Sequence, residues 1–191
     1  KDNTIAVTWP GGWNIIVEAT QNSFYLGLGW KRASSEPASY TWTFTSVWRD
    51  SVMLAYQGAA SAAQASNPLD PDTPPAGNSG TGSITSITVP DVTTTTVDTI
   101  MLAICNDIAI SGWSAAPAGW TQREAGGSEI CIDDRAFASA GTQAGAVQGC
   151  AFSTGAWKGY SLAIQSVGDD QHYFPPPVFP GVFNLDARRM I

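Results

Sequence analysis

Short segments in which apolar and polar side chains alternate restrict the fold of this chain more than any other feature of its sequence. In the clearest case, residues 40–45 read Tyr-Thr-Trp-Thr-Phe-Thr, with an aromatic side chain at every second position. A period of two is typical of a half-buried antiparallel strand. No segment shows sustained apolar spacing of three and four residues between capping residues, so we expect no long helices.

Other segments of strand character are spread along the chain. They are residues 5–9, 13–19, 24–30, 48–56, 84–89, 98–104, 128–133, 148–153 and 157–167. The last two are expected to pair with each other through a turn at 154–156. Many short strands separated by glycine, proline and serine predict an all-β fold, an antiparallel β-sandwich or jelly roll.

Two segments depart from the strand pattern. Residues 59–82 are rich in alanine, serine, asparagine, proline and glycine, which predicts a long surface loop. Residues 168–191 are rich in aromatic residues and proline, and their prolines exclude a central strand. We therefore predict a sandwich domain over residues 1–167, containing the loop at 59–82, and an extended C-terminal arm over 168–191.

A short motif occurs twice. Residues 10–13 read Pro-Gly-Gly-Trp and residues 117–120 read Pro-Ala-Gly-Trp, and in both places a strand is expected to follow. This similarity is interpreted as two related halves of one sandwich, the alternative being a full tandem repeat.

The composition limits the class of partner. Only 13% of the residues are charged, and 16 acidic against 9 basic side chains give a net charge of -7. Nucleic acid is excluded as the main partner because phosphate binding needs a basic surface. The sequence contains no run of about 18 apolar residues, so we predict no membrane insertion. The low charge suits an extracellular binding domain or a subunit packed into an assembly, because free-standing domains average about 25% charged residues.

Neither the cysteines nor the acidic residues predict a metal site. Cys105, Cys131 and Cys150 lack a CxxC pair, and we expect all three to be buried core residues, the alternative being one disulfide and one free thiol. Asp70 and Asp72 near Asn67 could supply oxygen ligands to calcium, as could Asp133 and Asp134. Neither set has EF-hand spacing, so we predict no metal and no cofactor.

The residues needed for catalysis are few. His172 is the only histidine and lies in the predicted arm, which argues against a Ser-His-Asp or Cys-His site. Glycoside hydrolysis needs only two carboxylates, and the candidates are Glu18, Glu36, Glu124, Glu129, Asp133 and Asp134. We expect these residues to be solvated strand ends, and we predict that the chain is not an enzyme.

The aromatic residues supply the candidate binding sites. Of the 8 tryptophans, Trp13, Trp113 and Trp120 lie beside predicted turns, where they could stack on a sugar or a partner chain. The alternative is that they close the ends of the sandwich. In the arm, the predicted partner-binding residues are Tyr173, Phe174, Phe179, Phe183, Met190 and Ile191. They are too apolar to remain in water, so they either bind a partner or fold back onto their own sandwich.

Three runs resemble a β-sandwich domain that recurs in tailed-phage virion proteins and in large bacterial surface proteins. They are Ser-Glu-Pro-Ala-Ser-Tyr-Thr-Trp-Thr-Phe at 35–44, Pro-Ala-Gly-Trp-Thr-Gln-Arg at 117–123, and Val-Pro-Asp-Val-Thr-Thr-Thr-Thr at 89–96 leading into 98–102. The resemblance covers roughly residues 5–167. It implies no enzyme activity and no catalytic residues.

Together these features predict a structural protein of a phage virion, either a capsid decoration protein or a fibre-type subunit. Its partners would be other virion subunits or copies of itself. The alternative is an extracellular or cell-surface carbohydrate-binding or adhesin domain that uses exposed tryptophans and the 59–82 loop to bind a host glycan.

Overall fold

The structure is a computed structural model that describes residues 7–21, 24–44, 51–56, 59, 67–70, 76–124, 129–153 and 155–165. Every regular element in these residues is a β-strand and all strand pairs are antiparallel, which confirms the predicted all-β class. The strands are β1 (Val7–Thr8), β2 (Asn14–Gln21), β3 (Phe24–Trp30), β4 (Thr43–Phe44), β5 (Leu69–Asp70), β6 (Ala76–Thr81), β7 (Ile84–Thr88), β8 (Val92–Thr94), β9 (Thr99–Asp107), β10 (Thr121–Glu124), β11 (Ile130–Phe137), β12 (Gly141–Gln143), β13 (Val147–Ser153) and β14 (Ala156–Ile164).

The chain divides into two compact units, Lys1–Arg49 and Asp50–Ile191. In the first unit β1 pairs with β4, and β2 pairs with β3. The second unit contains a six-stranded sheet with the order β10-β11-β9-β14-β5, in which β6 also pairs with β14. Two further pairs, β12 with β8 and β13 with β7, complete the described strands of this unit. The single domain over residues 1–167 stays a prediction.

Strand β9 lies at the centre of the larger sheet. All of its residues except Ile100 are buried, as its continuous apolar sequence predicts for a strand covered on both faces. Ala103 and Cys105 of β9 belong to one core cluster with Ile87 of β7. A side chain at Gly159 of β14 would come within 2.8 Å of Ile87 Cγ2, so β7 packs closely against the six-stranded sheet.

The segment predicted as a long surface loop contains two strands. Within residues 59–82, β5 and β6 both pair with β14, and Leu69 and Asp70 of β5 are buried. The prediction of an uninterrupted surface loop is therefore wrong for the described part of this range. Small residues are required in β6 because Gly77 lies against the ring of Tyr160 and Gly80 against the ring of Trp157.

The predicted pairing of the last two strands is also wrong. Strand β13 pairs with β7, whereas β14 pairs with β9 on one edge and with β5 and β6 on the other. Both edges of β14 are thus occupied, and the chain passes from one sheet to another between these strands.

The alternating segment 40–45 forms less strand than expected. Only Thr43–Phe44 is assigned to a strand, and residues 51–56 of the predicted strand 48–56 are not in one. Residues 45–50 lie outside the described part of the chain. The rings of Tyr40 and Trp42 pack against Trp13, so aromatic packing positions these two side chains where no strand hydrogen bonds do.

The repeated Pro-x-Gly-Trp motif forms a tight turn at both sites. Gly12 has φ 84° and Gly119 has φ 82°, a region that residues with a side chain seldom occupy. The amide of Trp120 donates to the carbonyl of Pro117 at 3.0 Å, as expected for a turn with glycine at its third position. A strand follows each turn, so the similarity of the two segments is confirmed at this local level.

Candidate functional site

The first unit contains a group of four packed rings, called here the aromatic cluster: Trp9, Trp13, Tyr40 and Trp42. The ring centroid of Trp13 lies 6.3 Å from that of Trp9, 5.5 Å from that of Tyr40 and 5.4 Å from that of Trp42. All four residues are half-buried, so part of each is open to solvent. Trp13 crosses Tyr40 at 87° and Trp42 at 65°, so the rings of the cluster do not lie in one plane.

Strand β3 holds the ring of Trp9 in place. A Cβ atom would approach that ring to 2.9 Å at Gly27 and to 2.7 Å at Gly29. The missing side chains therefore let the indole lie directly on the strand backbone. Its Nε1 donates a 2.8 Å hydrogen bond to Glu18 Oε1, which also fixes the rotation of the ring.

Glu18 marks one end of the cluster. The same Oε1 atom accepts a second hydrogen bond, from the hydroxyl of Tyr25. The hydrogen bonds from Tyr25 and Trp9 hold the pKa of Glu18 below its usual value, so the carboxylate stays ionised. Burial and the neighbouring Glu18 raise the pKa of Tyr25, which keeps its hydroxyl protonated as the donor.

Lys31 marks the other end. Its Nζ donates to Glu36 Oε2 at 2.6 Å and to the hydroxyl of Tyr40 at 2.7 Å, and it lies 4.9 Å from the centroid of the Tyr40 ring. The hydrogen bond from Lys31 lowers the pKa of Glu36. Glu18 and Lys31, the charges that the structure describes at the two ends of the aromatic cluster, are thus both engaged with neighbouring groups of the same unit.

The structure separates the three tryptophans that the sequence grouped together. Trp13 belongs to the aromatic cluster, whereas Trp113 and Trp120 are half-buried and pack against the core of the second unit. Trp120 also meets the ring of Phe137 at 6.4 Å. This packing favours the alternative in which Trp113 and Trp120 close the core, and their role in stacking on a ligand stays a prediction.

Sequence reasoning missed the other members of the aromatic cluster. The sequence patterns place none of Trp9, Tyr40 and Trp42 in a binding site, and the alternation at 40–45 predicts only a half-buried strand. The available signal was the density of aromatic residues, because four Trp and Tyr residues lie at 9, 13, 40 and 42, on either side of the β2–β3 pair. The arm residues Tyr173, Phe174, Phe179, Phe183, Met190 and Ile191 lie outside the described residues.

The second unit contains a buried carboxylate at Asp70. Only 1% of this residue is exposed, and its carboxylate accepts hydrogen bonds from the amide and hydroxyl groups of Thr95 and Thr96. Burial by itself would raise the pKa of Asp70, but these hydrogen bonds outweigh it and lower the pKa. The donor set is that of a structural carboxylate that holds the 95–96 turn against β5.

Asp133 and Asp134 are buried rather than solvated, so the expectation of solvated strand ends is wrong for this pair. Asp134 Oδ2 accepts a 2.7 Å hydrogen bond from Arg123 Nε and a 3.0 Å hydrogen bond from the Tyr56 hydroxyl. Burial and the neighbouring Asp134 raise the pKa of Asp133 to about 6. The arginine on β10 is what makes a buried charge at Asp134 tolerable.

The three cysteines are free and buried, which confirms the expected core role. Cys105 and Cys131 are opposite each other on β9 and β11, and Cys131 Sγ lies 3.9 Å from Asp133 Oδ1. Burial raises the pKa of Cys131 to about 12 and also raises the pKa of Cys105 and Cys150. These thiols therefore stay protonated at neutral pH.

Within the described residues, no three His, Cys, Asp or Glu side chains are grouped so that they could hold a metal ion. The same part of the chain has no helix long and apolar enough to cross a membrane. The buried carboxylates Asp70 and Asp134 make internal hydrogen bonds, so the chemistry that the described surface offers most clearly is apolar contact at the aromatic cluster.

Comparison with known proteins adds no relative. No family model matches this chain, and no curated protein or solved structure matches it either. The resemblance to a phage and bacterial-surface β-sandwich domain therefore stays an expectation.

Proposed function

We propose that this chain is a non-enzymatic structural protein of a tailed-phage virion, a capsid decoration or fibre-type subunit. In this proposal a β-sandwich or jelly-roll body carries an extended arm, residues 168–191, that binds other virion subunits or copies of the same chain. The protein acts by assembly, and its location is the virion.

The observation that carries the proposal is the sequence of the arm. Residues 173–183 contain four prolines and four phenylalanine or tyrosine residues and no charged side chain. Each apolar side chain buried on a partner would contribute about 1.5–3 kcal/mol. Proline restricts the free arm, so less conformational entropy is lost when it is ordered on a partner.

The described fold supports the same role. Its buried carboxylates are held by internal hydrogen bonds, Asp70 by Thr95 and Thr96, and Asp134 by Arg123. An all-β body with such buried hydrogen-bond networks suits a subunit that must stay rigid within an assembly.

The proposal is tested by comparing the full-length chain with a chain ending at residue 170, using light scattering after size-exclusion chromatography. We expect the full-length protein to associate and the truncated protein to be monomeric. The far-ultraviolet circular dichroism of the body should be the same in both, because every described strand lies within residues 7–164, which both proteins contain.

A matched control is Val147→Ser, which removes an apolar side chain that is 54% exposed on the body. This variant should associate like the unaltered chain, whereas Phe174→Ser with Phe179→Ser should not. Association that survives loss of residues 171–191 would refute the proposed function.

A further inference from the structure

Among the described residues, the charged side chains at the two ends of the aromatic cluster, Glu18 and Lys31, are both paired. At one end Glu18 accepts from Trp9 and Tyr25, and at the other Lys31 pairs with Glu36. A ligand that covers the four rings need not neutralise an unpaired charge at either end. An uncharged, mainly apolar ligand therefore fits this surface better than an ionic one.

The shape of the surface restricts the ligand further. Rings that cross at 87° and 65° cannot share one plane, so the four rings do not form one flat platform. A sugar stacks on a flat ring face and needs free donors and acceptors along its edge. Proline and phenylalanine rings can pack on such an uneven aromatic surface, and proline-rich segments bind aromatic surfaces because their extended helix is already formed.

A segment with these properties lies in the arm. Residues 174–180 read Phe-Pro-Pro-Pro-Val-Phe-Pro and carry no charge. In a polyproline II helix with three residues per turn, Phe174, Pro177 and Pro180 share one ridge. Such a ridge presents one ring per turn to an uneven aromatic surface.

The length of chain between the body and this segment is sufficient for it to reach another molecule. The last described residue is Gln165, and residues 166–173 separate it from the proline-rich segment. Eight residues span up to about 27 Å when extended. That is comparable with the diameter of a small domain.

From these features we propose that the aromatic cluster is the docking site for residues 174–180 of a second copy of this chain. This inference rests on the proposed assembly function and names the surface that receives the arm. Trp9, held on Gly27 and Gly29, supplies a preformed wall of the site, which lowers the entropic cost of binding.

The first experiment adds a synthetic peptide of residues 171–183 to the ¹⁵N-labelled full-length chain. The indole N–H signals of Trp9, Trp13 and Trp42 should shift in a saturable manner, and the associated protein should fall to monomers. The signals of Trp113, Trp120 and Trp157 should not move. A peptide with serine in place of its four prolines is the matched control and should bind at least about tenfold more weakly.

The second experiment substitutes the cluster in the full-length chain. Trp42→Ala should weaken association about 30-fold, the loss typical of a central aromatic contact. Trp30→Ala is the matched control, because Trp30 lies in the same unit beneath Arg32 and outside the cluster. Should Trp42→Ala unfold, the peptide titration of the unaltered chain still decides the question.

Mixing two defective proteins tests whether the contact is between copies. Trp42→Ala keeps its arm, and the variant Phe174→Ser with Phe179→Ser keeps its cluster. Each alone should be monomeric, and together they should form a one-to-one pair. Failure of the mixture to associate, while each parent retains its fold, would contradict docking between copies.

The outcomes separate the two proposals. If removing the arm leaves association unchanged, the proposed function fails. If removing the arm abolishes association while Trp42→Ala associates normally and the peptide shifts no cluster signal, only the docking inference fails. Shifts of the same three indole signals by a neutral oligosaccharide such as maltohexaose, and not by the peptide, would replace docking with carbohydrate binding.

Discussion

Single buried carboxylates in this chain have opposite electrostatic surroundings. Asp70 lies among donors that stabilise its charged form, whereas Asp133 lies beside a second carboxylate and a thiol. The sequence predicted Asp70 in a loop and Asp133 at the end of a strand, and it cannot report which partners arrive from distant segments. Thr95 is 25 positions from Asp70, and that separation is why the role of Asp70 could not be predicted.

Asp70→Asn should destabilise the protein by about 2 kcal/mol at pH 7, because it removes a buried charge that accepts several hydrogen bonds. The folded-state pKa of Asp70 is lowered, so its stabilisation is present above the unfolded pKa and is lost as pH falls through the folded pKa. Urea unfolding at pH 7 and near pH 3 should show the difference shrinking in acid. Asp98→Asn, at an exposed residue, is the control, and an equal loss at both pH values would contradict this assignment.

Asp133→Asn should stabilise the protein at neutral pH. Because folding raises the pKa of Asp133 from 3.8 to about 6, the favourable contribution of its neutral form is complete below the unfolded pKa and is lost as pH rises to about 6. The variant should gain up to about 3 kcal/mol at pH 7 and nothing at pH 3. Guanidinium unfolding between pH 3 and pH 7 measures the difference in the free energy of unfolding. Equal stability of both proteins at pH 7 would contradict the raised pKa of Asp133. Glu36→Gln, an exposed carboxylate, should not reproduce the gain.

At the scale of elements, sequence patterns predicted the long strands and missed those whose pairing depends on distant partners. The continuous apolar run at β9 and the Ile-Thr-Ser-Ile-Thr-Val pattern that contains β7 were sufficient. Strand β6 was missed because Ala-Gly-Asn-Ser-Gly-Thr has the composition of a loop. Its glycines are needed by the rings of β14, which the local sequence of β6 cannot reveal.

Gly80→Ala should therefore destabilise the second unit by about 1–3 kcal/mol. A Cβ atom at this position would lie 2.6 Å from Trp157 Cζ2, and Trp157 packs against the core cluster. Ser79→Ala in the same strand is the control, since Ser79 is exposed and should tolerate the change. Thermal unfolding followed by circular dichroism distinguishes the two, and equal melting temperatures would show that β6 does not need its glycine.

For the whole molecule, the class of fold was predictable and the division of the chain was not. The described residues of the first unit form only two-stranded pairs, whereas the second unit contains a six-stranded sheet. Both units use the same strand and turn patterns, so composition alone gives no boundary near residue 49. The candidate site was predicted in part, because Trp13 was named as a binding residue. Its ring contacts with Tyr40 and Trp42 could not be predicted, because these residues follow Trp13 by 27 and 29 positions.

The two units should differ in independent stability. A fragment of residues 50–191 should unfold cooperatively on its own, because a six-stranded sheet with an apolar core suffices for a folded domain. A fragment of residues 1–49 should not, since two-stranded pairs are marginal in water. Dispersion of amide signals in proton NMR checks both fragments, and a well-dispersed spectrum from residues 1–49 would overturn the second expectation.

The three buried cysteine thiols can report local unfolding of the strands that carry them. Cys105 and Cys131 are each 1% exposed and Cys150 is 6% exposed, and all three are protonated at neutral pH. An alkylating reagent can reach them only when β9, β11 or β13 comes away from its neighbours. The alkylation rate of each cysteine, measured by mass spectrometry of peptides, would therefore give the frequency at which each of these strands detaches, and no label has to be introduced.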